Sequence, residues 1–88
     1  MEVNIMKLEN ICNNCQLLSF EDTFGHNEVV FSYGVPVFSW SGNSFHRHWS
    51  GWSATTQRHI NKAFGLHLTK AEWEKMETKE LEFPNSYC

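Results

Sequence analysis

The sequence predicts an α+β fold in which one or two C-terminal helices pack on a small antiparallel β-sheet, made of a β-hairpin and an additional strand. Runs of β-branched and aromatic residues occupy 28–40, which is typical of strands. The pair Gly42-Asn43 follows and suits a two-residue hairpin turn. Signals for the start and end of helices come only later in the chain. Strands followed by helices indicate α+β rather than alternating units.

The strands are clearest in the middle of the chain. Residues 1–27 are poorly predicted, although 16–20 have the composition of a strand and 24–27 that of a turn. Pro36 has no N–H to donate, so its strand is expected to lie at an edge or to carry a bulge. Residues 45–49 form the returning strand. Its alternation places Phe45, Arg47 and Trp49 on one face, and His46 and His48 on the other.

The first helix is expected over 55–64. Ser53 and the two threonines behind it are candidates for its N-cap. Gly65 is well placed to end it in the left-handed conformation, with Leu66 closing over the end. Its apolar positions recur at i, i+3 and i+4 and predict one buried stripe of Ile60, Ala63 and Phe64.

A second helix is expected to begin after Thr69, because Glu72 has capping-box spacing from it. Trp73 and Met76 share one face of this helix, and it should end before Pro84. The chain is therefore expected to be a single domain with three parts: the N-terminal segment 1–27, the β-hairpin region 28–52 and the helical region 54–82.

Length and composition exclude several classes of protein. The 88 residues are 41% hydrophobic and 15% aromatic, which is enough apolar material for one core and no more. No apolar run approaches the roughly 20 residues of a membrane span. The start of the chain lacks the basic and apolar regions of a signal peptide, so a cytoplasmic location is expected. A multi-step enzyme is not expected, because its pocket would compete with the only core.

Charge is segregated along the sequence. The net charge of −3 divides into −4 over residues 1–28, +4 over 29–71 and −3 over 72–88. The central segment contains no Asp or Glu, and it holds four of the five histidines. Either the molecule presents a basic face and an acidic face, which would steer charged partners, or the ends fold back and neutralise the centre.

A metal site is one candidate for chemistry. Cys12-Asn-Asn-Cys15 has the spacing of zinc ligands, and His46 and His48 place two imidazoles on one side of a strand. Together they offer two sulfurs and two nitrogens to zinc, although their separation matches no familiar zinc pattern. The alternative is reduced, partly buried thiols. A redox role for Cys-x-x-Cys would require a βαβ context that this sequence lacks.

Nucleic-acid binding is a second candidate. Basic, amide and aromatic side chains of the acid-free centre supply the backbone contacts and stacking that binding to single strands needs. The residues concerned are Arg47, Trp49, Arg58, Asn61 and Lys62. The pI of about 5.9 is low for a protein that binds duplexes. Alternatively, the tryptophans belong to the core and the cations are simply solvated.

Catalysis finds little support. The sequence contains no Gly-rich phosphate loop, nucleophile elbow or paired carboxylates, and the histidine-rich centre has no acids to hold a catalytic metal. We therefore expect no enzymatic activity.

Residues 31–37 and 52–62 resemble a family of short phage and mobile-element proteins of unknown function. Members share a Phe-x-Ser-Tyr segment, a hairpin and a Ser-x-Thr-Thr-x-basic segment, and the similarity covers about 29–66. Phe38 stands where a small residue is common, and Trp52 replaces the usual Tyr. The resemblance implies a protein of the host cytoplasm that inhibits host defence by occupying a host protein, as anti-CRISPR proteins do.

An acidic surface is the candidate for that occupancy. The second helix and its exit carry glutamates that would fit a basic groove of a host nucleic-acid machine, or would only solvate the helix. They are Glu72, Glu74, Glu77 and Glu80. Our first hypothesis is thus a non-catalytic binding protein, the second a nucleic-acid-binding module, and the third a small zinc-stabilised adaptor.

Overall fold

Five antiparallel strands form one sheet in the order of the sequence, and two helices follow them. The computed structural model describes residues 6–22, 25–42 and 44–79. The strands are β1 (Met6–Cys12), β2 (Cys15–Asp22), β3 (Gly25–Ser32), β4 (Val35–Ser41) and β5 (Ser44–Arg47), and the helices are α1 (Ala54–Phe64) and α2 (Lys70–Lys75). The predicted α+β class is confirmed. Within the described ranges, neither helix has the length and apolar character needed to cross a membrane.

The sheet is wider at its N-terminal side than the sequence indicated. The predicted strand at 16–20 lies inside β2, and β1 pairs with it through a two-residue turn. Lys7 and Glu9 are exposed on β1, and this edge strand therefore lacks a strong apolar pattern. The turn expected at 24–27 is wrong for residues 25–27, which belong to β3; Phe24 lies outside the described residues.

A bulge accommodates Pro36. β4 lies between β3 and β5, so it is not an edge strand. Val30 pairs with Phe38, whereas Phe31 pairs with Pro36, which leaves one extra residue on β4. At the other end of β4, Ser41 pairs with Ser44, which confirms a two-residue connection. Gly42 adopts φ 70°, and Asn43 is outside the described residues.

The returning strand is shorter than 45–49. β5 ends at Arg47, although the amide of His48 still donates to the carbonyl of Val37 at 2.9 Å. On its other side Arg47 forms an isolated bridge with Thr78. The amide of Lys79 donates to the carbonyl of Arg47 at 2.8 Å, so the segment after α2 continues this edge.

Both helices begin with the predicted N-caps, and α1 ends at the predicted Gly65. Ser53 Oγ accepts from the amide of Thr56, and Gly65 at φ 67° donates to the carbonyl of Asn61. In α2, the amide of Glu72 donates to Thr69 Oγ1 at 3.1 Å, while the amide of Thr69 donates to Glu72 Oε1 at 3.0 Å. The predicted capping box is confirmed.

The helices cover one face of the sheet. Ile60 of α1 and Trp73 of α2 are fully buried there, with Ala63 and Phe64 partly buried beside them. The main core consists of Cys15, Leu17, Val30, Val37, Phe38, Ile60 and Trp73. A second cluster of Leu18, Phe20 and Val29 lies on the opposite face, as alternation along the strands requires.

Candidate functional site

A groove runs between the outer side of α1 and the loop that leads into α2. Its volume is about 680 Å³. We call it the basic groove. The residues that give it its chemical character are Trp52, Gln57, Arg58, Asn61, Lys62, His67 and Lys70. Among the residues that the structure describes, no aspartate or glutamate lines it. The basic groove is therefore a concave surface with a positive local potential.

The helical repeat of α1 forms one wall. Arg58, Asn61 and Lys62 are spaced i, i+3 and i+4, so they project from the same side of the helix. Arg58 donates to Thr55 Oγ1 at 3.1 Å, and Asn61 Nδ2 donates to the carbonyl of Leu66 at 3.3 Å. These bonds orient the two side chains, while Lys62 is exposed.

Gln57 is a feature of the groove that sequence reasoning missed. Both polar atoms of its side-chain amide are buried and have no hydrogen-bond partner. Leaving a buried polar group unpaired costs about 1–3 kcal/mol. A rotation of this side chain toward the groove would let a ligand with a matching acceptor and donor relieve that cost. Only the tertiary structure reveals this, because a glutamine in a helix is ordinarily solvated.

The other residues predicted for nucleic-acid binding lie elsewhere. Arg47 and Trp49 do not line the groove. Arg47 is 8% exposed, and its guanidinium donates to the carbonyl of Trp73 at 2.8 Å and to Thr78 Oγ1 at 2.5 Å. Trp49 packs partly buried against the main core. Its ring also lies against Gly51, so a Cβ added at that position would collide with the ring unless the ring moved.

The acidic residues predicted for partner binding have different roles. Glu72 is occupied by the capping box, and the amide and hydroxyl of Thr69 are the main reasons why its pKa is lowered. Glu74 and Glu77 are exposed. Glu80 lies outside the described residues. In the described part of α2 and the segment after it, the free acidic surface is thus limited to two carboxylates, Glu74 on the helix and Glu77 beyond its end.

A second candidate site is a thiol–imidazole cluster of Cys12, Cys15 and His59. One sulfur from each cysteine and a ring nitrogen of the histidine lie within 4.8 Å of one another. The cysteines are the paired residues that flank the β1–β2 turn, where Asn14 adopts φ 59°. Burial is the main reason why the pKa of Cys15 is raised to about 12, and Cys12 contributes further. Burial also lowers the pKa of His59, and Arg58 lowers it further.

The histidines predicted to complete the metal site are not part of this cluster. His48 is engaged through both ring nitrogens, with Ser39 Oγ at 2.7 Å and the carbonyl of Lys79 at 2.8 Å. His46 contacts Ser44 Oγ at 3.1 Å. Their strand lies three strands away from β2 in the sheet. The structure therefore does not bring His46 and His48 to Cys12 and Cys15, and the imidazole that lies near the two thiols comes from α1.

The segments that carry the family resemblance meet beside this cluster. Ser32 Oγ lies 2.8 Å from Nδ1 of His59 and 3.3 Å from Thr56 Oγ1, and all three residues are buried. Tyr33, at φ 54°, places its ring 5.9 Å from the ring of His59. These contacts fasten the end of β3 to the first turns of α1.

Comparison with known families gives one match, to a family described as "Family of unknown function (DUF8033)", over residues 6–80. The chain belongs to the DUF8033 family. The match covers the basic groove, the thiol–imidazole cluster and all five strands. It is longer than the segment 29–66 over which the sequence resembles the phage and mobile-element proteins. No curated protein and no solved structure matches this DUF8033 chain.

Proposed function

We propose that this DUF8033 chain is a non-catalytic binding module that holds single-stranded nucleic acid in the basic groove. The proposal rests on one observation, which is that cationic and aromatic side chains line the same concave surface. Of the described residues, Arg58, Lys62 and Lys70 line it as permanent cations together with an aromatic ring, and none of the lining side chains is a carboxylate. Phosphate groups recruit such cations because each contact releases condensed counterions.

The net charge of −3 does not oppose this binding strongly. Charges in solvent are screened over about 8 Å at physiological ionic strength. A phosphate in the groove therefore responds mainly to the lining cations, all of which belong to the acid-free segment 29–71. Glu72, the nearest acidic residue in sequence, is held in its capping box by Thr69.

The groove also offers contacts to bases. Trp52 is half-buried and lines it, and stacking of a base on an aromatic ring contributes about 1–3 kcal/mol. The amide of Gln57 can donate and accept simultaneously, as contact with a base edge requires. The volume of about 680 Å³ lies within the range of small-molecule sites, so the groove suits a short stretch of strand rather than a duplex.

Substitution of the groove cations tests the proposal. We expect wild-type protein to bind a labelled single-stranded oligonucleotide with a salt slope of about −2, the value for three neutralised phosphates. The double variant Arg58→Ala/Lys62→Ala should bind at least about tenfold more weakly, with a slope near −0.7. Fluorescence anisotropy at several salt concentrations measures both quantities.

The matched control is Lys7→Ala/Lys79→Ala, which removes the same charge from exposed positions outside the groove. It should bind like the wild type. In nuclear magnetic resonance spectra, the side-chain N–H signals of Trp52 and Gln57 should shift as oligonucleotide is added. Equal loss of affinity in both double variants, or no binding by the wild type at low salt, would refute the groove as a nucleic-acid site.

A second candidate function is occupancy of a host nucleic-acid machine by the acidic helix. It rests on the exposed Glu74 and Glu77 and on the family resemblance, which would make this a phage or mobile-element protein that inhibits host defence in the host cytoplasm. Lys70, which lines the basic groove, and Glu74 are four residues apart on α2 and share one side of that helix, so the acidic surface adjoins the α2 end of the groove.

The acidic surface can be tested separately from the groove. A tagged chain should capture a host protein that the variant Glu74→Lys/Glu77→Lys/Glu80→Lys fails to capture. The control Glu9→Lys/Glu21→Lys/Glu28→Lys changes the charge equally on the sheet and should retain the partner. A partner that both triple variants release would point to net charge alone and would contradict this function.

A further inference from the structure

We propose that Cys12, Cys15 and His59 bind one zinc ion, which joins the β1–β2 hairpin to helix α1. The inference is independent of the proposed function. It revises the metal site expected from the sequence, because the third ligand comes from α1 rather than from β5. Both cysteines have free thiols.

The hairpin holds the two sulfurs together. Cys12 and Cys15 face each other in register, separated by a two-residue turn in which Asn14 is left-handed. In a tetrahedral zinc site, bonds of about 2.3 Å to sulfur and 2.0 Å to nitrogen place the ligand atoms about 3.5–3.8 Å apart. The three atoms here lie within 4.8 Å of one another. Closing on a metal therefore needs movements of about 1 Å, which small side-chain rotations supply.

One ring nitrogen of the His59 imidazole already has a hydrogen-bond partner. Ser32 Oγ lies 2.8 Å from Nδ1 of His59, which leaves Nε2 as the nitrogen available to the metal. A histidine ligand generally has its second nitrogen bonded to a partner that fixes the ring and its tautomer. If Nδ1–H donates to Ser32, the Ser32 hydroxyl is free to donate to Thr56 Oγ1 at 3.3 Å.

The donor set selects the metal by its chemistry. Two thiolates and a neutral imidazole suit zinc, whereas calcium and magnesium prefer oxygen ligands. Two thiolates also balance the charge of the divalent ion, so the assembled site is neutral where Cys15 is fully buried. Cys12 is half-buried and gives the metal access from the surface. A water molecule would complete the four ligands.

Binding of zinc to the whole reduced chain tests the inference. We expect one zinc per chain by elemental analysis after dialysis, and a rise of about 5 °C or more in the melting temperature that a chelator reverses. Cobalt, used as a spectroscopic probe, should give the intense visible bands of tetrahedral coordination and a thiolate charge-transfer band. Zinc should also protect the half-buried thiol of Cys12 from a thiol reagent.

Variants assign the ligands. Cys12→Ser changes a half-buried turn residue, so it should fold while losing zinc affinity at least about 100-fold. His59→Asn should abolish the cobalt bands if it folds, and circular dichroism reports whether it does. Cys88→Ser and His46→Ala are the matched controls and should bind like the wild type. Zinc affinity that survives Cys12→Ser, or that disappears in His46→Ala, would overturn the site, as would equal reactivity of the Cys12 thiol with and without zinc.

Discussion

Replacing Trp73 with alanine is expected to lower the free energy of unfolding by about 3–5 kcal/mol, the cost of removing a large buried aromatic side chain. A domain of this length has a total stability of roughly 4–13 kcal/mol, so the variant should lose at least about a quarter of it. Trp73 is fully buried, and its ring packs 5.8 Å from that of Phe38. Urea denaturation followed by circular dichroism measures the loss.

The indole N–H of Trp73 makes the effect larger than burial alone. It donates to the carbonyl of Gly51 at 2.7 Å, which anchors the loop between β5 and α1. The control Trp73→Phe keeps an aromatic ring but leaves that carbonyl unpaired, so its cost should be about 1–3 kcal/mol. A loss below 1 kcal/mol in Trp73→Ala would show that α2 contributes little to the core, contrary to the packing described above.

Replacing Arg47 with alanine is expected to cost about 2–4 kcal/mol and to release the segment after α2. Its guanidinium bonds to the carbonyl of Trp73 and to Thr78, and lies 5.5 Å from the centre of the Trp73 ring. Neither of the two ion pairs found among the described residues involves this buried cation. Because Arg47→Ala loses the bonds to Trp73 and Thr78, hydrogen exchange in this variant should be faster at the amide of Lys79, which donates to the Arg47 carbonyl.

The variant Arg47→Met separates packing from charge. Methionine keeps most of the apolar stem and removes a desolvated cation whose Nε has no partner. Its cost should be less than half that of Arg47→Ala, because relief of desolvation offsets part of the lost hydrogen bonding. Since Arg47 does not line the basic groove, Arg47→Met should also bind oligonucleotide like the wild type. A marked loss of binding in this folded variant would extend the nucleic-acid surface beyond the groove.

Features that depend on neighbouring residues were predictable from the sequence. The caps at Ser53 and Thr69 and the left-handed Gly65 involve residues within five positions of one another, so local spacing decides them. The same applies to the turn after β4. The strand β1 was not predicted from the sequence. It is an exposed edge strand, and its charged residues Lys7 and Glu9 hide the apolar–polar alternation that marks a half-buried strand.

The candidate sites depended on contacts between distant segments. The sequence indicated that Cys12 and Cys15 lie together, since two residues separate them, but His59 is far along the chain and reaches them only because α1 packs on that side of the sheet. Arg58, Asn61 and Lys62 were predictable as one helix face; the groove beside them was not, because its other wall is the loop that leads into α2.

By itself, then, the sequence determined the α+β class, the turns and caps, and the segregation of charge, because these follow from short-range geometry and composition. Tertiary structure alone decided which imidazole meets the two thiols, that Arg47 is buried, and that the cations of α1 line a concave surface. Alternation assigns a side chain to a face of a strand or helix, but what covers that face depends on where another element packs.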